Sequence, residues 1–319
     1  MGEVVMEGHI STIEELNEII RRGDFPQQVS TDELRHVERI VRMAERIAGR
    51  VPIVRLVLVS GPSSAGKTTT AMRLCTRLKE NGMKAIHLST DDYFVGDRRN
   101  PIGPDGKPDW ETVEAVDRAR LVQDLDSLFS GQETHLRRFD FQAHDGYDSE
   151  DVTVLPPGGV VVLEGIHALN PLLTAGIPDA FKFRVYLNVF TFLHPAPTVA
   201  FFPDDVRLLR RIVRDCANRG EPPAATLARW SSVERGEERW INPFRRLADA
   251  VYNTGLDYEL AVLKPYALDL LRGVDADSPE FHEANRLAEV LASVSEAPSE
   301  GIPGNSILRE TIGGSSLEY

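Results

Sequence analysis

Lys67 and Thr68 close the run Gly61-Pro62-Ser63-Ser64-Ala65-Gly66-Lys67-Thr68, in which two glycines bracket four residues ahead of a lysine and a hydroxyl. This spacing fits a phosphate-binding loop. The glycines let the backbone N–H groups of Ser63, Ser64, Ala65 and Gly66 turn inward around an oxyanion, and the helix running on through Thr69 adds the positive end of its dipole. Lys67 would reach the β- and γ-phosphates of a nucleoside triphosphate, and the Thr68 hydroxyl would take a place on Mg²⁺. The bland alternative is a glycine-rich turn that binds nothing. A buried strand before the run and an amphipathic helix after it argue for the loop.

Other residues could give that phosphate a destination. Asp91 lies in Ser89-Thr90-Asp91-Asp92-Tyr93-Phe94, just past a short apolar run. A carboxylate at a strand's carboxyl end beside a phosphate loop could accept a proton from an attacking hydroxyl, or bind Mg²⁺ directly or through water. Glu164 ends the run GGVVVL, a Walker-B-like arrangement with Glu in place of Asp, and could hold the metal shell. Arg207, Arg210, Arg211 and Arg214 recur at helical spacing, with Leu208, Leu209, Ile212 and Val213 on the other face. Guanidinium forks suit phosphate, so this helix is expected to close over the nucleotide as a lid. His144, alone in a loop, reads by itself as a surface histidine.

The elements that must position these groups follow from periodicity. Apolar runs predict strands over 56–59, 83–88, 158–163 and 183–189, with another over 134–141 bearing Arg137 and Arg138, and a short one near 248–252. Helical spacing predicts helices from Ser11 or Thr12 to Arg22, and over 31–48, 69–80, 111–129 and 204–220. In the second of these, Leu34, Val37, Ile40, Val41, Ala44 and Ile47 should form the packed face. Residues 100–109 form a Pro- and Gly-rich loop. The expected fold is α/β, a mostly parallel sheet with helices on both faces and a helical lid. Its divisions are a helical arm over 1–50, the phosphate-loop domain over 51–295 with the lid around 204–240, and a tail over 296–319.

Bulk properties set the outer bounds. The chain has 319 residues, 42% of them hydrophobic, enough for a substantial core. A net charge of −13 argues against a general nucleic-acid or membrane-surface binder, so a phosphorylated ligand must meet a local basic cluster. Two distant cysteines imply neither a disulfide framework nor a zinc site. Without a long apolar run or a leader pattern, the expected compartment is the cytoplasm. Homo-oligomerisation is left open.

With these pieces placed, the chain resembles the phosphoribulokinase/uridine kinase family of P-loop kinases over roughly residues 51–272, most strongly at GPSSAGKTT, STDDYF, RFDFQAH, VVLEGIHALNP and DVRLLRRIVRD. It is similar above all to a bacterial uridine kinase-like subgroup, in which YELAVLKPYA and NSILRETIGG also recur. The resemblance implies ATP and Mg²⁺, with Asp91 as catalytic base and Glu164 associated with the metal. It places Tyr93, in the aromatic pair after the base, at the substrate, and His144 against a pyrimidine. Glu111 stands where those enzymes carry an Asp on the ribose hydroxyls, and Phe139 stands at a Tyr position. Arg207, Arg211, Arg214 and Arg219 occupy lid and phosphate-contact positions. The resulting expectation is a kinase that passes the γ-phosphoryl group to a small-molecule hydroxyl, most simply a uridine- or cytidine-like nucleoside. The alternatives are a non-nucleoside alcohol and a non-catalytic ATP-binding regulator.

Overall fold

A computed structural model describes residues 9–50, 53–103, 106–140, 143–190, 193–195 and 200–317. The chain begins with helices α1 (Ile13–Arg22) and α2 (Phe25–Ala48), then β1 (Leu56–Ser60), α3 (Lys67–Glu80) and β2 (Ala85–Ser89). Next come α4 (Arg118–Phe129), β3 (Thr134–Asp140), β4 (Asp145–Thr153), β5 (Val160–Glu164) and β6 (Lys182–Asn188). Helices α5 (Pro203–Arg219) and α6 (Pro223–Trp240) precede β7 (Ala250–Asn253), α7 (Glu259–Arg272), α8 (Phe281–Ser293) and the single turn α9 (Arg309–Ile312). These elements cluster into two compact units, one of residues 38–187 and 232–252, the other of residues 9–37, 188–231 and 253–317. The units cut across the arm, domain and tail boundaries expected from sequence.

The first unit holds a five-stranded sheet in the order β2-β5-β1-β6-β7. β1 pairs in parallel with both β5 and β6, and β2 pairs in parallel with β5. Every residue of β1 and β5 is buried, as uncharged β-branched runs without alternation require in a parallel sheet covered on both faces. Leu56, Leu58, Leu88, Val161 and Leu163 from three strands share one core with Leu121 and Leu125 of α4. A separate antiparallel hairpin, β3–β4, carries a bulge between His135 and Arg137. β4 has no counterpart in the sequence expectation, because DGYDSEDVT is polar on both faces and has no apolar alternation. α4 starts at Arg118 rather than 111. Residues 113–115 form one 3₁₀ turn, and Asp117 caps α4 by accepting from the Arg120 N–H at 3.1 Å.

The second unit is helical and is held by buried polar pairs. α1 starts at its expected cap, where the Thr12 side chain accepts from the Glu15 N–H and Glu15 reaches back to Thr12. α2 begins six residues earlier than periodicity suggested; Ile40, Ala44 and Ile47 of the expected face are buried, but nearer its start Leu34 and Val37 are exposed and Asp32, Glu33 and His36 are buried instead. Each of these last three has a distant partner. The Asp257 N–H donates to Asp32 at 2.8 Å, the Tyr258 hydroxyl donates to Glu33 at 2.8 Å, and His36 Nε2 lies 3.2 Å from the Gly255 carbonyl. The tail is irregular but packed, with Ile302, Ile307 and Leu308 buried.

The deepest pair is Arg210 on α5 with Glu259 on α7. Arg210 donates twice to the carboxylate, at 2.7 and 3.0 Å, and once to the Thr254 carbonyl at 2.9 Å. Both side chains are at most 3% exposed. Truncating one partner strands the other charge in the core. Arg210→Met or Glu259→Gln alone is therefore expected to remove about 3–5 kcal/mol from the stability read by urea unfolding.

Candidate active site

The loop after β1 is shaped by what surrounds it. The Ser60 hydroxyl donates to the Ile166 carbonyl at 2.8 Å, tying the end of β1 to the residues just past β5. A β-carbon on Gly61 would lie 2.2 Å from the Leu187 carbonyl oxygen, so only glycine fits there. Ser64 (φ 55°) and Gly66 (φ 77°) both take the left-handed conformation. A serine held there is locally strained, and such alternation aims successive N–H groups into one concavity. Lys67 and Thr68 open α3 immediately afterwards. Lys67 Nζ donates to the Pro62 carbonyl at 3.0 Å, and the Ser63 N–H donates to Glu237 Oε1 at 3.3 Å. The Thr68 hydroxyl donates to Glu164 at 3.2 Å, with Glu164 buried.

This hydrogen bond brings together two of the three side chains expected in the metal shell, Thr68 and Glu164. Among the described residues, no three His, Cys, Asp or Glu side chains form a metal cluster. A hydroxyl and one carboxylate nevertheless fit Mg²⁺, which commonly takes one or two carboxylates and completes its shell with phosphates and water.

Sheet register sets the acids in a row. Ser89 at the end of β2 stands opposite Glu164 at the end of β5, and Glu164 stands opposite Val59 of β1. Gly165 follows Glu164 with φ 147°, and a β-carbon there would come within 1.7 Å of the Thr90 hydroxyl oxygen. Thr90 occupies that volume and places its hydroxyl 3.5 Å from Asp91 Oδ1, while Ser89 Oγ accepts from the Asp91 N–H at 3.2 Å. The neighbouring acid faces other partners. Asp92 is paired with Arg138 at 2.8 Å and accepts from the Phe139 N–H at 3.4 Å, so it fastens the hairpin. Burial raises the Asp92 carboxyl above its ordinary range, against the pull of Arg138.

Three residues past Asp91, Phe94 opens a set of packed rings. Phe94, Trp110 and Phe139 meet edge to face with centroids 5.2–5.9 Å apart, and His144 stands perpendicular to Trp110 at 5.9 Å. His144 has φ 52° and lies 3.1 Å from Asp97, with half of each side chain exposed. Glu111 sits in the loop before α4, its N–H donated to Asp109 at 3.0 Å. Phe141 and Gln142, between Phe139 and His144, lie outside the described residues.

Tyr93 departs from its expected role as a substrate contact. It is 1% exposed, and its hydroxyl donates to buried Asp124 at 2.9 Å, where Arg120 and the Arg137 N–H also converge. It is a support of the site's floor. Three residues escaped the sequence reading. Trp110 stood between a Pro- and Gly-rich loop and the expected helix at 111, Glu237 in a polar helix, and His167 three residues past Glu164. Burial pushes His167 down to about 4. The carbonyls of Thr112 and Glu111 face its ring outside strict hydrogen-bond geometry and oppose that shift, while the charge of Lys67 adds to it. Its imidazole is thus neutral beside the Lys67 charge and the Glu111 backbone.

The arginines of α5 belong to the other unit and do not form one accessible stripe. Arg207 is 1% exposed, paired with Asp204 at 2.7 Å and stacked over Trp230 at 5.3 Å. Arg210 is committed to Glu259. Arg211, Arg214 and Arg219 all lie within 3.6 Å of the buried Asp215 carboxylate. Burial alone would raise that carboxyl, but the three guanidiniums hold it below the usual range.

A parallel sheet with a phosphate loop leaving β1 and acids ending β2 and β5 defines a P-loop nucleotide-binding fold. The sequence profile of the phosphoribulokinase/uridine kinase family matches residues 56–261, and the chain belongs to that family. Uridine kinase of Halobacterium salinarum is 28% identical over 198 residues, covering 62% of this chain and 79% of that one. Uridine kinase of Deinococcus deserti is also 28% identical over 198 residues, covering 62% of this chain and 86% of its own. In three dimensions, a protein described as a fructose transport system kinase from Silicibacter matches 67% of this chain and 98% of its own, with TM-score 0.50 and 20% identity, a likeness of fold. Membership makes the chain a kinase, a phosphotransferase acting on a small-molecule alcohol.

Gly165 supplies a direct test of how Asp91 is set. Gly165→Ala must drive Thr90 out of the volume it fills and shift Asp91 with it. Since displacement of about 1 Å can lower turnover on the order of 100-fold, kcat is expected to fall by that order while nucleotide affinity, measured by titration, stays near wild type.

Proposed function

We propose that this kinase uses ATP with Mg²⁺ and phosphorylates a hydroxyl of a uridine- or cytidine-like nucleoside. The observation that supports a nucleoside is the edge-to-face ring set of Phe94, Trp110, Phe139 and His144, which begins three residues past Asp91 in the chain; Phe94 and Phe139 are buried, so a planar base would meet the set at the more accessible Trp110 and His144, with the His144 ring nitrogens as polar partners. Stacking on aromatic faces contributes about 1–3 kcal/mol per base and tolerates any base, so selection between bases falls to the polar partners.

In this reading Asp91 orients the acceptor hydroxyl and takes its proton. The hydroxyl oxygen bonds to the γ-phosphorus as the bond from that phosphorus to the β,γ-bridging oxygen breaks, leaving ADP and a phosphorylated acceptor. Lys67 leaves the Pro62 carbonyl for the β- and γ-phosphates, and the loop amides cradle the remaining oxygens. Mg²⁺, when held by Thr68 and Glu164, supplies neutralisation of phosphate charge. Arg211, Arg214 and Arg219 are engaged by Asp215, and Arg207 by Asp204 and Trp230. Catalysis by this set is mainly positioning and electrostatics.

Phe139 favours a second acceptor class, because a phenyl ring offers no hydroxyl to a base, and one lost polar contact can change selectivity by orders of magnitude. Purified protein incubated with ATP, Mg²⁺ and either uridine, cytidine or a panel of sugar phosphates, polyols and amino acids separates the two. ADP release with uridine or cytidine is expected. Release only with another alcohol keeps the kinase and discards the nucleoside, and tight ATP binding without any acceptor-dependent release would make the protein a nucleotide-binding regulator. With the true acceptor, Asp91→Asn is expected to lower kcat by about 10²–10⁴-fold; full turnover by that variant would place the base elsewhere.

A further inference from the structure

The Ser63 amide belongs to the phosphate loop, yet its partner is a carboxylate of the chain itself, Glu237 Oε1 at 3.3 Å. Glu237 lies on α6 and is 6% exposed. The preceding residue fixes its place. A β-carbon on Gly236 would lie 2.5 Å from Cβ of Glu111, so α6 sits against the Glu111 segment as closely as a glycine permits, and position 237 falls on the loop. Lys67, the loop's cation, meanwhile donates to the Pro62 carbonyl. The cradle is thus engaged by the protein's own groups: an anion on one amide, a carbonyl on the cation.

A carboxylate and a phosphate oxygen belong to the same class of charged acceptor for a backbone N–H. Two such anions within a few ångströms repel one another, and the repulsion grows as burial of Glu237 removes water from between them. We infer that Glu237 is an internal anion that holds the Ser63 amide in the nucleotide-free protein and must be displaced by the triphosphate, so that it sets the affinity of the donor site. A group acting this way weakens nucleotide binding and speeds release of the spent diphosphate. The inference rests on the loop being the triphosphate cradle and not on the identity of the acceptor.

The test is calorimetric titration of the full chain with a non-hydrolysable ATP analogue and Mg²⁺, without acceptor, for wild type, Glu237→Gln and Glu237→Ala. Glu237→Gln keeps the shape and an acceptor oxygen but removes the charge, so it is expected to bind about five- to twentyfold more tightly than wild type. Glu237→Ala is expected to shift in the same direction, and unfolding midpoints identify any variant that has lost its fold. Unchanged or weaker binding by a folded Glu237→Gln overturns the inference and makes Glu237 a prop for the loop. Absence of binding by wild type overturns the cradle reading itself, a different failure from that of the nucleoside acceptor.

Discussion

The site rests on β5 pairing in parallel with two neighbours at once. Because β2 and β1 flank it in fixed register, Ser89 and Glu164 end their strands beside Val59, one residue short of the end of β1, and the chain must leave the sheet there three times in close succession. Parallel strands point all these exits in one direction, which is why open α/β sheets gather their chemistry at one edge. Gly165 is where that arrangement is tightest. A hydroxyl from the β2 exit fills the space of its missing side chain, so the exits from β2 and β5 interlock rather than merely adjoin.

Within that edge, neighbouring groups of the same type are separated by their partners. Asp91 and Asp92 are adjacent in sequence, but Arg138 and the Phe139 amide claim only the second. Thr68 and Thr70 lie in the same turn of α3, yet Thr68 meets Glu164 while Thr70 donates back to the Gly66 carbonyl at 2.7 Å. Each pairing removes one candidate from chemistry and stiffens the one beside it, the kind of support that positioning catalysis needs.

The local part of this design was legible in the chain, and the non-local part was not. The loop, its strand and its helix announce themselves because their signals lie within seventeen residues, from Val54 to Thr70. The same holds for Asp91 and Glu164, each at the end of an apolar run. Failures came where the partner is remote. The inward face of α2 held at Ile40, Ala44 and Ile47 but was misread toward its start, because Asp32, Glu33 and His36 are satisfied by residues more than two hundred positions away. The arginine periodicity of α5 was real, but Glu259, Trp230 and Asp215 decide what those arginines do. β4 was invisible because a solvated hairpin strand has no apolar pattern to read.

Asp124 carries a consequence for how such a kinase could change its acceptor. One buried carboxylate receives the Tyr93 hydroxyl, the Arg120 guanidinium and the Arg137 backbone amide, and so ties together the segment after Asp91, helix α4 and the root of the hairpin. Removing any one of the side chains strands the others in a dry setting, so single substitutions there are penalised together. The outer turn, where His144 meets Asp97 half in water, carries no such linkage. If the proposed acceptor contacts lie along this hairpin, variation that retunes them has an open route at the exposed His144–Asp97 turn and a closed one at Asp124, leaving the phosphate-loop edge unchanged while the chosen alcohol drifts.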